Sequence, residues 1–164
     1  MDAHSSSKVN INGTKIPSIG YGTMVFPEPK KAVELISFAL DCGYRHIDTA
    51  RKYGSEAWVG EAIKHSPVAR EDIWVTTKVT EENAKAYDFA QSVETSLTTM
   101  GLNYVDLLLI HWPQPNVPLG ETIGALVKAK NEGLAKNIGI SNFTVDLINQ
   151  AAELSSEPLF TNQI

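Results

Sequence analysis

Short segments with β-strand character recur along this chain at the spacing expected for a strand followed by a helix. Five of them begin at positions 46, 73, 105, 137 and 160, so consecutive starts lie 27, 32, 32 and 23 residues apart. Two parallel strands need a crossover of a dozen or more residues, usually a helix, and these intervals have that length. The spacing therefore predicts a parallel sheet with crossover helices, either an open doubly wound sheet or part of a closed barrel.

Residue patterns within the intervals give the individual elements. Strands are predicted over 19–23, 46–49, 73–77, 105–110, 137–140 and 160–164, after a hairpin over 9–16 with its turn at Asn12-Gly13. Helices are predicted over 30–42, 56–64, 92–100, 121–132 and 145–154. Ser55 and Thr144 precede two of these helices and are expected to be their N-caps.

Composition restricts the class of protein. The 164 residues are 43% hydrophobic and 20% charged, which predicts one globular domain over 1–164. The net charge is −5, so nucleic acid is not an expected partner. We expect neither a secretory signal nor a membrane span, because residues 1–8 are polar and the apolar run 105–110 is far too short. The one cysteine, Cys42, favours a reducing, cytoplasmic location.

A glycine-rich segment near the N-terminus helps to decide between the open sheet and the barrel. Gly20 and Gly22 begin a pattern similar to the dinucleotide-binding fingerprint, but the third glycine is absent. Pro27 and Pro29 follow at once, so no helix is expected to begin directly over the loop. The segment therefore argues against an open nucleotide-binding sheet and favours a barrel.

Polar residues gather where the predicted strands end. Asp48, Lys78 and His111 end or follow three strands, Tyr53 lies in a loop, and Ser141 and Asn142 follow the fifth strand. The carboxyl ends of barrel strands lie on one face, where active sites form. Asp48, Tyr53 and His111 each have a structural explanation, as a turn cap, a half-buried aromatic or a packed histidine. A lysine continuing a buried strand must be paired or functional, and the four residues together predict a catalytic site.

These four side chains suit the reduction of a carbonyl group. A tyrosine is a poor acid at neutral pH, but a neighbouring lysine cation is expected to lower its pKa. Asp48 would hold Lys78 charged and oriented, and a neutral His111 would position the carbonyl oxygen. No side chain supplies a hydride, so a cofactor is expected to do so.

The sequence resembles the aldo-keto reductase family at many stretches. The matching segments are Gly20-Tyr-Gly-Thr23, Asp41-Cys-Gly-Tyr-Arg-His-Ile-Asp-Thr-Ala50, Tyr53-Gly-Ser-Glu56, Val59-Gly60, Thr76-Thr-Lys78, Gly101-Leu-Asn-Tyr-Val-Asp-Leu107, Ile110-His-Trp-Pro113, Ile138-Gly-Ile-Ser-Asn-Phe143 and Asn162-Gln163. They cover nearly the whole chain in the family's order and spacing. The loop after Pro113 and the segment 139–144 look most like bacterial 2,5-diketo-D-gluconic acid reductases.

The resemblance implies a (β/α)8 barrel that reduces small aldehydes or ketones with NADPH. It makes Tyr53 the proton donor, supported by Lys78 and Asp48, and makes His111 the residue that orients the carbonyl. The implied cofactor-binding residues are Gly22, Thr23, Asp48, Ser141, Asn142 and Gln163. NADH stays open as the alternative cofactor, no metal is expected, and the complete protein is expected to be a monomer.

Trp112 matches a wall of the family's substrate pocket, and two neighbouring positions depart from the family pattern. Met24 and Thr80 stand where aromatic residues are common. The change predicts a roomier, more polar pocket, with neutral drift as the alternative explanation. A complete barrel needs about 200 to 250 residues, so 164 residues are expected to form an incomplete one, with a hairpin, about five βα units and the start of strand 6.

Three other functions compete with carbonyl reduction. Lys78 is a candidate nucleophile for a Schiff-base aldolase on a similar barrel. A non-catalytic barrel that senses a cofactor is the second alternative, and an inactive fragment is the third. The presence of Tyr53, His111 and the Ser141-Asn142 pair argues against the aldolase.

Overall fold

The computed structural model describes residues 7–11, 13–26 and 28–164. Its strands are β1 (Lys8–Ile11), β2 (Thr14–Pro17), β3 (Tyr21–Gly22), β4 (His46–Asp48), β5 (Trp74–Val79), β6 (Val105–Ile110), β7 (Ala135–Ser141) and β8 (Leu159–Gln163). Its α-helices are α1 (Ala32–Asp41), α2 (Glu56–His65), α3 (Ala86–Met100), α4 (Leu119–Asn131) and α5 (Val145–Leu154). Short 3-10 helices cover Pro29–Lys31, Arg51–Tyr53, Arg70–Asp72 and Glu81–Asn83.

Strand order decides between the two predicted architectures. Strands β3 to β8 form one sheet in sequential order, and every neighbouring pair is parallel. A helix lies between each consecutive pair in the chain. A doubly wound sheet would reverse its order at a switch point, whereas sequential order is that of a (β/α)8 barrel. The prediction of an incomplete barrel is confirmed.

Side chains alternate between the helix layer and the inside of the barrel. Val75, Leu108 and Ile138 face the helices and are fully buried in the main core. A smaller cluster lies on the inner side, where Trp74, Leu107 and Leu109 pack against Phe160 and against Ile16 from β2. Strand β6 therefore buries apolar side chains on both faces, against the helices outside and inside the barrel.

The hairpin prediction is confirmed in its pairing. β1 and β2 pair antiparallel, with Val9 opposite Ile16, and Gly13 has a φ of 86°. Asn12, the other predicted turn residue, lies outside the described residues, as does Pro27 of the glycine-rich segment. None of the helices in the described ranges is long and apolar enough to cross a membrane.

Several predicted boundaries differ from the observed ones. Strand β5 continues to Val79, so Lys78 lies inside the strand and not after it. Strand β7 likewise includes Ser141. Helix α3 begins at Ala86, six residues before the predicted start. The prediction missed the first turn because that turn carries no long apolar run, although it packs Phe89 into the core. The Thr144 cap is confirmed, since its hydroxyl accepts a hydrogen bond from the Leu147 amide at 3.4 Å.

Asp106 interrupts the apolar strand β6 and is almost completely buried. Its Oδ2 accepts hydrogen bonds from Arg70 Nη1 at 2.9 Å and from the Val75 amide at 3.1 Å. Lys136 Nζ lies 3.2 Å from its Oδ1. A buried carboxylate needs this degree of pairing, and here it joins β5, β6 and β7 at their amino ends, opposite the predicted catalytic face.

Candidate active site

Successive strand ends bring the four predicted catalytic side chains to one place. Asp48 ends β4, Lys78 lies near the end of β5, and His111 directly follows β6. Tyr53 ends the short 3-10 helix after β4, and Gly54 follows it with a φ of 67°. The ordered topology thus converts residues far apart in sequence into neighbours, as the barrel prediction required.

Lys78 and Asp48 form a tight buried pair. The Lys78 ammonium lies 2.6 Å from Asp48 Oδ1 and donates a second hydrogen bond to the Thr49 carbonyl at 2.9 Å. Desolvation lowers the pKa of Lys78, and the Asp48 carboxylate opposes that shift. The ammonium also lies 5.1 Å from the centre of the Tyr53 ring, so the pair stands directly beside the tyrosine.

The expected lowering of the Tyr53 pKa is wrong for the protein without a bound cofactor. Burial raises the pKa of Tyr53, and the negative charge of Asp48 raises it further. Both effects disfavour a tyrosinate. The Lys78 cation beside the ring does not outweigh these two effects. Tyr53 therefore keeps its proton at neutral pH.

His111 completes the cluster as a neutral imidazole. Its ring meets the Tyr53 ring edge to face, with centroids 5.6 Å apart. Burial lowers the pKa of His111, and the Lys78 cation adds to the effect. Its Nδ1 is buried and has no hydrogen-bond partner among the described residues. A neutral ring has one nitrogen that can donate to a carbonyl oxygen.

Three further predicted residues join this cluster through hydrogen bonds. Gln163 Nε2 donates to Asp48 Oδ2 at 2.8 Å, and Ser141 Oγ donates to the Gln163 carbonyl at 2.8 Å. Asn142 Nδ2 donates to the His111 carbonyl at 3.0 Å, and its backbone is held at a φ of 62°. A left-handed asparagine is uncommon and often marks a functional site.

The side-chain amides of Asn142 and Gln163 fit a carboxamide ligand. Each uses its NH2 group on a protein acceptor, which fixes which way the amide points. Within the described ranges, no protein group donates to Asn142 Oδ1 or Gln163 Oε1. Two oxygens therefore remain to accept hydrogen bonds from an NH2 group, and a nicotinamide carries one.

Gly22 and Thr23 play different parts. Gly22 pairs with Asp48 in the sheet, and a Cβ at Gly22 would meet nothing within 4 Å, so the backbone there is open to a ligand. Thr23 is fully buried, and its hydroxyl donates to the Asp48 carbonyl at 3.1 Å. The Thr23 side chain therefore supports the turn behind Asp48, and its place beside a cofactor stays a prediction.

The Thr23 hydroxyl points into the protein, where it contacts the hydroxyl of Ser55. The Ser55 hydroxyl lies 2.9 Å from Thr23 Oγ1 and 3.0 Å from Thr49 Oγ1, and all three residues are fully buried. Ser55 stands at the N-cap position of α2, but its side chain makes no capping hydrogen bond. The predicted cap is wrong because the hydroxyl has two better-placed hydroxyl partners.

A cleft of about 540 Å³ opens beside these groups. It is lined by Met24, Lys52, Tyr53, His111, Trp112, Ser141, Asn142, Gln163 and Ile164. Met24 and Trp112 are the exposed apolar walls, which agrees with their predicted place at the pocket. Thr80 is only 8% exposed and does not line the cleft; its hydroxyl accepts a hydrogen bond from Asn83 Nδ2 at 3.2 Å instead.

The sequence analysis missed a buried carboxylate behind Tyr53. Glu56 is 3% exposed, and its Oε1 accepts a hydrogen bond from Thr77 Oγ1 at 2.7 Å. Its other oxygen lies 3.9 Å from Arg51 Nη1. Glu56 thus joins the turn that carries Tyr53 to the strand that carries Lys78. The available signal was its place in the matching stretch Tyr53-Gly-Ser-Glu56.

Comparison with known families agrees with this geometry. A model of the "Aldo/keto reductase family" matches residues 18–164. The chain belongs to the aldo/keto reductase family. The four side chains at the strand ends and the amides beside them all lie within the matched residues.

Individual aldo/keto reductases show how much of the family's length is present. A Yersinia pestis protein named methylglyoxal reductase DkgB is 43% identical over 152 residues, which cover 91% of this chain and 57% of that protein. A structure assigned as a 2,5-diketo-D-gluconic acid reductase B has a TM-score of 0.91 at 43% identity, and the match covers 96% of this chain and 57% of that one.

A more distant aldo/keto reductase, from Bombyx mori and solved in complex with NADP, has a TM-score of 0.90 at 32% identity. That match covers 99% of this chain and 59% of the silkworm chain. The chain therefore spans little more than half the length of the relatives it matches, and its fold is theirs over that span.

Proposed function

We propose that the protein carrying this chain reduces small aldehydes or ketones to alcohols with NADPH. The observation that carries the proposal is the Lys78–Asp48 pair, buried 2.6 Å apart beside Tyr53 and His111 at the wall of one cleft. The four side chains provide a protonated acid, a neutral hydrogen-bond donor and a charged pair that holds them. Such general acid help is worth about 10² to 10⁴ in rate.

The nicotinamide carboxamide would be held by Asn142 and Gln163 through their two available side-chain oxygens. Gly22, which pairs with Asp48 in the sheet, offers open backbone that a ligand could approach. NADPH, when bound, supplies the hydride that no side chain can provide. Aldo-keto reductases with the same fold have been solved with NADP and with NADPH, which supports this cofactor. NADH stays the alternative.

Each side chain has a defined task in this proposal. Tyr53 donates its phenolic proton to the carbonyl oxygen as negative charge develops there. The neutral His111 donates a hydrogen bond to the same oxygen and so fixes the position of the carbonyl. Lys78 provides positive charge beside the phenol and stabilises the tyrosinate once the proton has left. Asp48 holds Lys78 in place, and Gln163 holds the second Asp48 oxygen.

The substrate class, the cellular location and the oligomeric state are the remaining parts of the proposal. The Yersinia relative is named for methylglyoxal, so small carbonyl compounds are the first substrates to test. The cytoplasmic location and the monomeric state expected from the sequence stay predictions. Cell fractionation and sedimentation of the natural protein test them.

Transfer of deuterium tests the proposed chemistry. NADPH with deuterium at both C4 positions of the nicotinamide is expected to place one deuterium on the carbinol carbon of the product, and mass spectrometry detects it. An alcohol without the label contradicts the proposal. The aldolase alternative instead predicts a covalent adduct at Lys78 after treatment with a carbonyl substrate and borohydride.

A further inference from the structure

We propose that Lys52 recognises a carboxylate on the substrate, so that the cleft selects short oxo acids over neutral aldehydes. This inference rests on the proposed carbonyl reduction and names a substrate class for the same site. It comes from an ion pair at the cleft wall that neither the sequence motifs nor the catalytic cluster requires.

The wall of the cleft presents a cation whose counter-ion lies behind it. Lys52 lines the cleft, and its ammonium lies 2.6 Å from Glu81 Oε1. The Lys52 side chain is 49% exposed, whereas that of Glu81 is 25% exposed and does not line the cleft. An approaching ligand therefore meets the ammonium first.

The backbone of Glu81 is held by the neighbouring loop that follows β6. Glu81 lies in the short helix after β5, and Gln114 Nε2 donates to its backbone carbonyl at 3.3 Å. Its Oε2 is buried without a hydrogen-bond partner among the described residues. The ion pair with this carboxylate restricts the Lys52 side chain, which lowers the entropy lost when a ligand binds.

Lys52 keeps donors for a ligand. An ammonium has three N–H groups, and Glu81 uses one of them. The hydrogen bond that Lys52 donates to Glu81 raises the pKa of Lys52, so the cation persists through neutral pH. A ligand carboxylate is the group that accepts such donors most strongly.

Lys52 and Tyr53 can contact one small ligand, because they are adjacent in the chain and both line the cleft. Lys52 directly precedes Tyr53 in the same 3-10 helix. A carboxylate held at Lys52 therefore leaves only a short linker to a carbonyl held at Tyr53 and His111. The substrate class is a short aldehyde or ketone that carries a carboxylate a few carbons away.

The test compares two aldehydes that differ in charge and scarcely in shape, 4-oxobutanoate and 4-oxobutanamide. The ratio of their kcat/KM values is measured for the wild type, Lys52→Gln and Glu81→Gln in the protein that carries this chain. We expect the acid-to-amide ratio to fall about fivefold in Lys52→Gln, as for a partly exposed ionic contact. We expect it to rise in Glu81→Gln, because the ammonium then lacks its counter-ion.

Opposite shifts in the two variants distinguish recognition from a structural role, which would lower both rates together. A ratio that is unchanged in Lys52→Gln, or that moves the same way in both variants, overturns the proposal. Lys128→Gln is the matched control, since Lys128 pairs with Glu132 on α4 away from the cleft, and both rates should be unaffected.

A binding measurement separates this proposal from the proposed reduction. Calorimetry with butanoate and butanamide, which cannot be reduced, is expected to show weaker butanoate binding in Lys52→Gln than in the wild type. If neither aldehyde is reduced but butanoate binding still depends on Lys52, the reduction fails and the anion site stands. If both aldehydes are reduced and butanoate binding ignores Lys52, the anion site fails.

Discussion

The Lys78 ammonium lies 2.6 Å from the Asp48 carboxylate, and the lysine side chain is only 1% exposed. Removing one partner of such a pair leaves an uncompensated buried charge, at a cost of about 3–5 kcal/mol. We therefore expect Asp48→Asn to lower the free energy of unfolding by about that amount in urea denaturation. Adding Lys78→Met to Asp48→Asn should recover part of the loss, because the unpaired cation is then absent. A double variant that is less stable than Asp48→Asn would contradict this account.

Two glycines on different helices should respond oppositely to substitution by alanine. A Cβ at Gly60 on α2 would lie 2.2 Å from the Met100 carbonyl oxygen at the end of α3, so the helices must separate. Gly60→Ala is expected to cost about 1–3 kcal/mol of stability. Gly124→Ala on α4 is the control, because nothing lies within 4 Å of its Cβ. That change should stabilise the protein by up to about 1 kcal/mol, and equal effects at the two sites would refute the packing argument.

His46 should make stability depend on pH. Its Nε2 lies 2.9 Å from Thr76 Oγ1, and burial lowers its pKa from the ordinary 6.5. The unfolded chain thus binds more protons than the folded one between the folded pKa and 6.5, so stability rises with pH there. The free energy of unfolding is expected to fall as the pH drops below about 6.5, and His46→Asn should flatten that dependence. An unchanged slope in His46→Asn would show that another group is responsible.

The tyrosines can be titrated to test the raised pKa of Tyr53. The sequence holds five tyrosines, so the Tyr53→Phe difference identifies its signal. In the cofactor-free protein, burial and Asp48 should keep Tyr53 protonated beyond the ordinary value of 10.0. Carbon-13 NMR of the ring Cζ measures this directly. A titration step below pH 10 that disappears in Tyr53→Phe would restore the lowered pKa expected from Lys78.

The sequence predicted most of what depends on spacing. Strand starts about 30 residues apart anticipated a parallel barrel, and that topology alone placed Asp48, Lys78 and His111 at one end. Effects that depend on ångström-scale distances were not predictable. The Ser55 hydroxyl bonds to Thr23 and Thr49 and not to its helix, and the pKa of Tyr53 is raised by its burial and by its closeness to Asp48. The Lys52–Glu81 pair joins two loops whose approach no local pattern encodes.

The central claim is that Tyr53 gives the proton that completes carbonyl reduction. Tyr53→Phe removes the phenolic oxygen while keeping the ring beside His111, so the cleft and the cofactor residues should be preserved. The most direct measurement is the rate of NADPH oxidation by a small aldehyde in wild type and Tyr53→Phe, with NADPH affinity measured by fluorescence on the same samples. The account predicts a rate reduced by about 10² or more at nearly unchanged affinity. A Tyr53→Phe variant that keeps a near-normal kcat would contradict it.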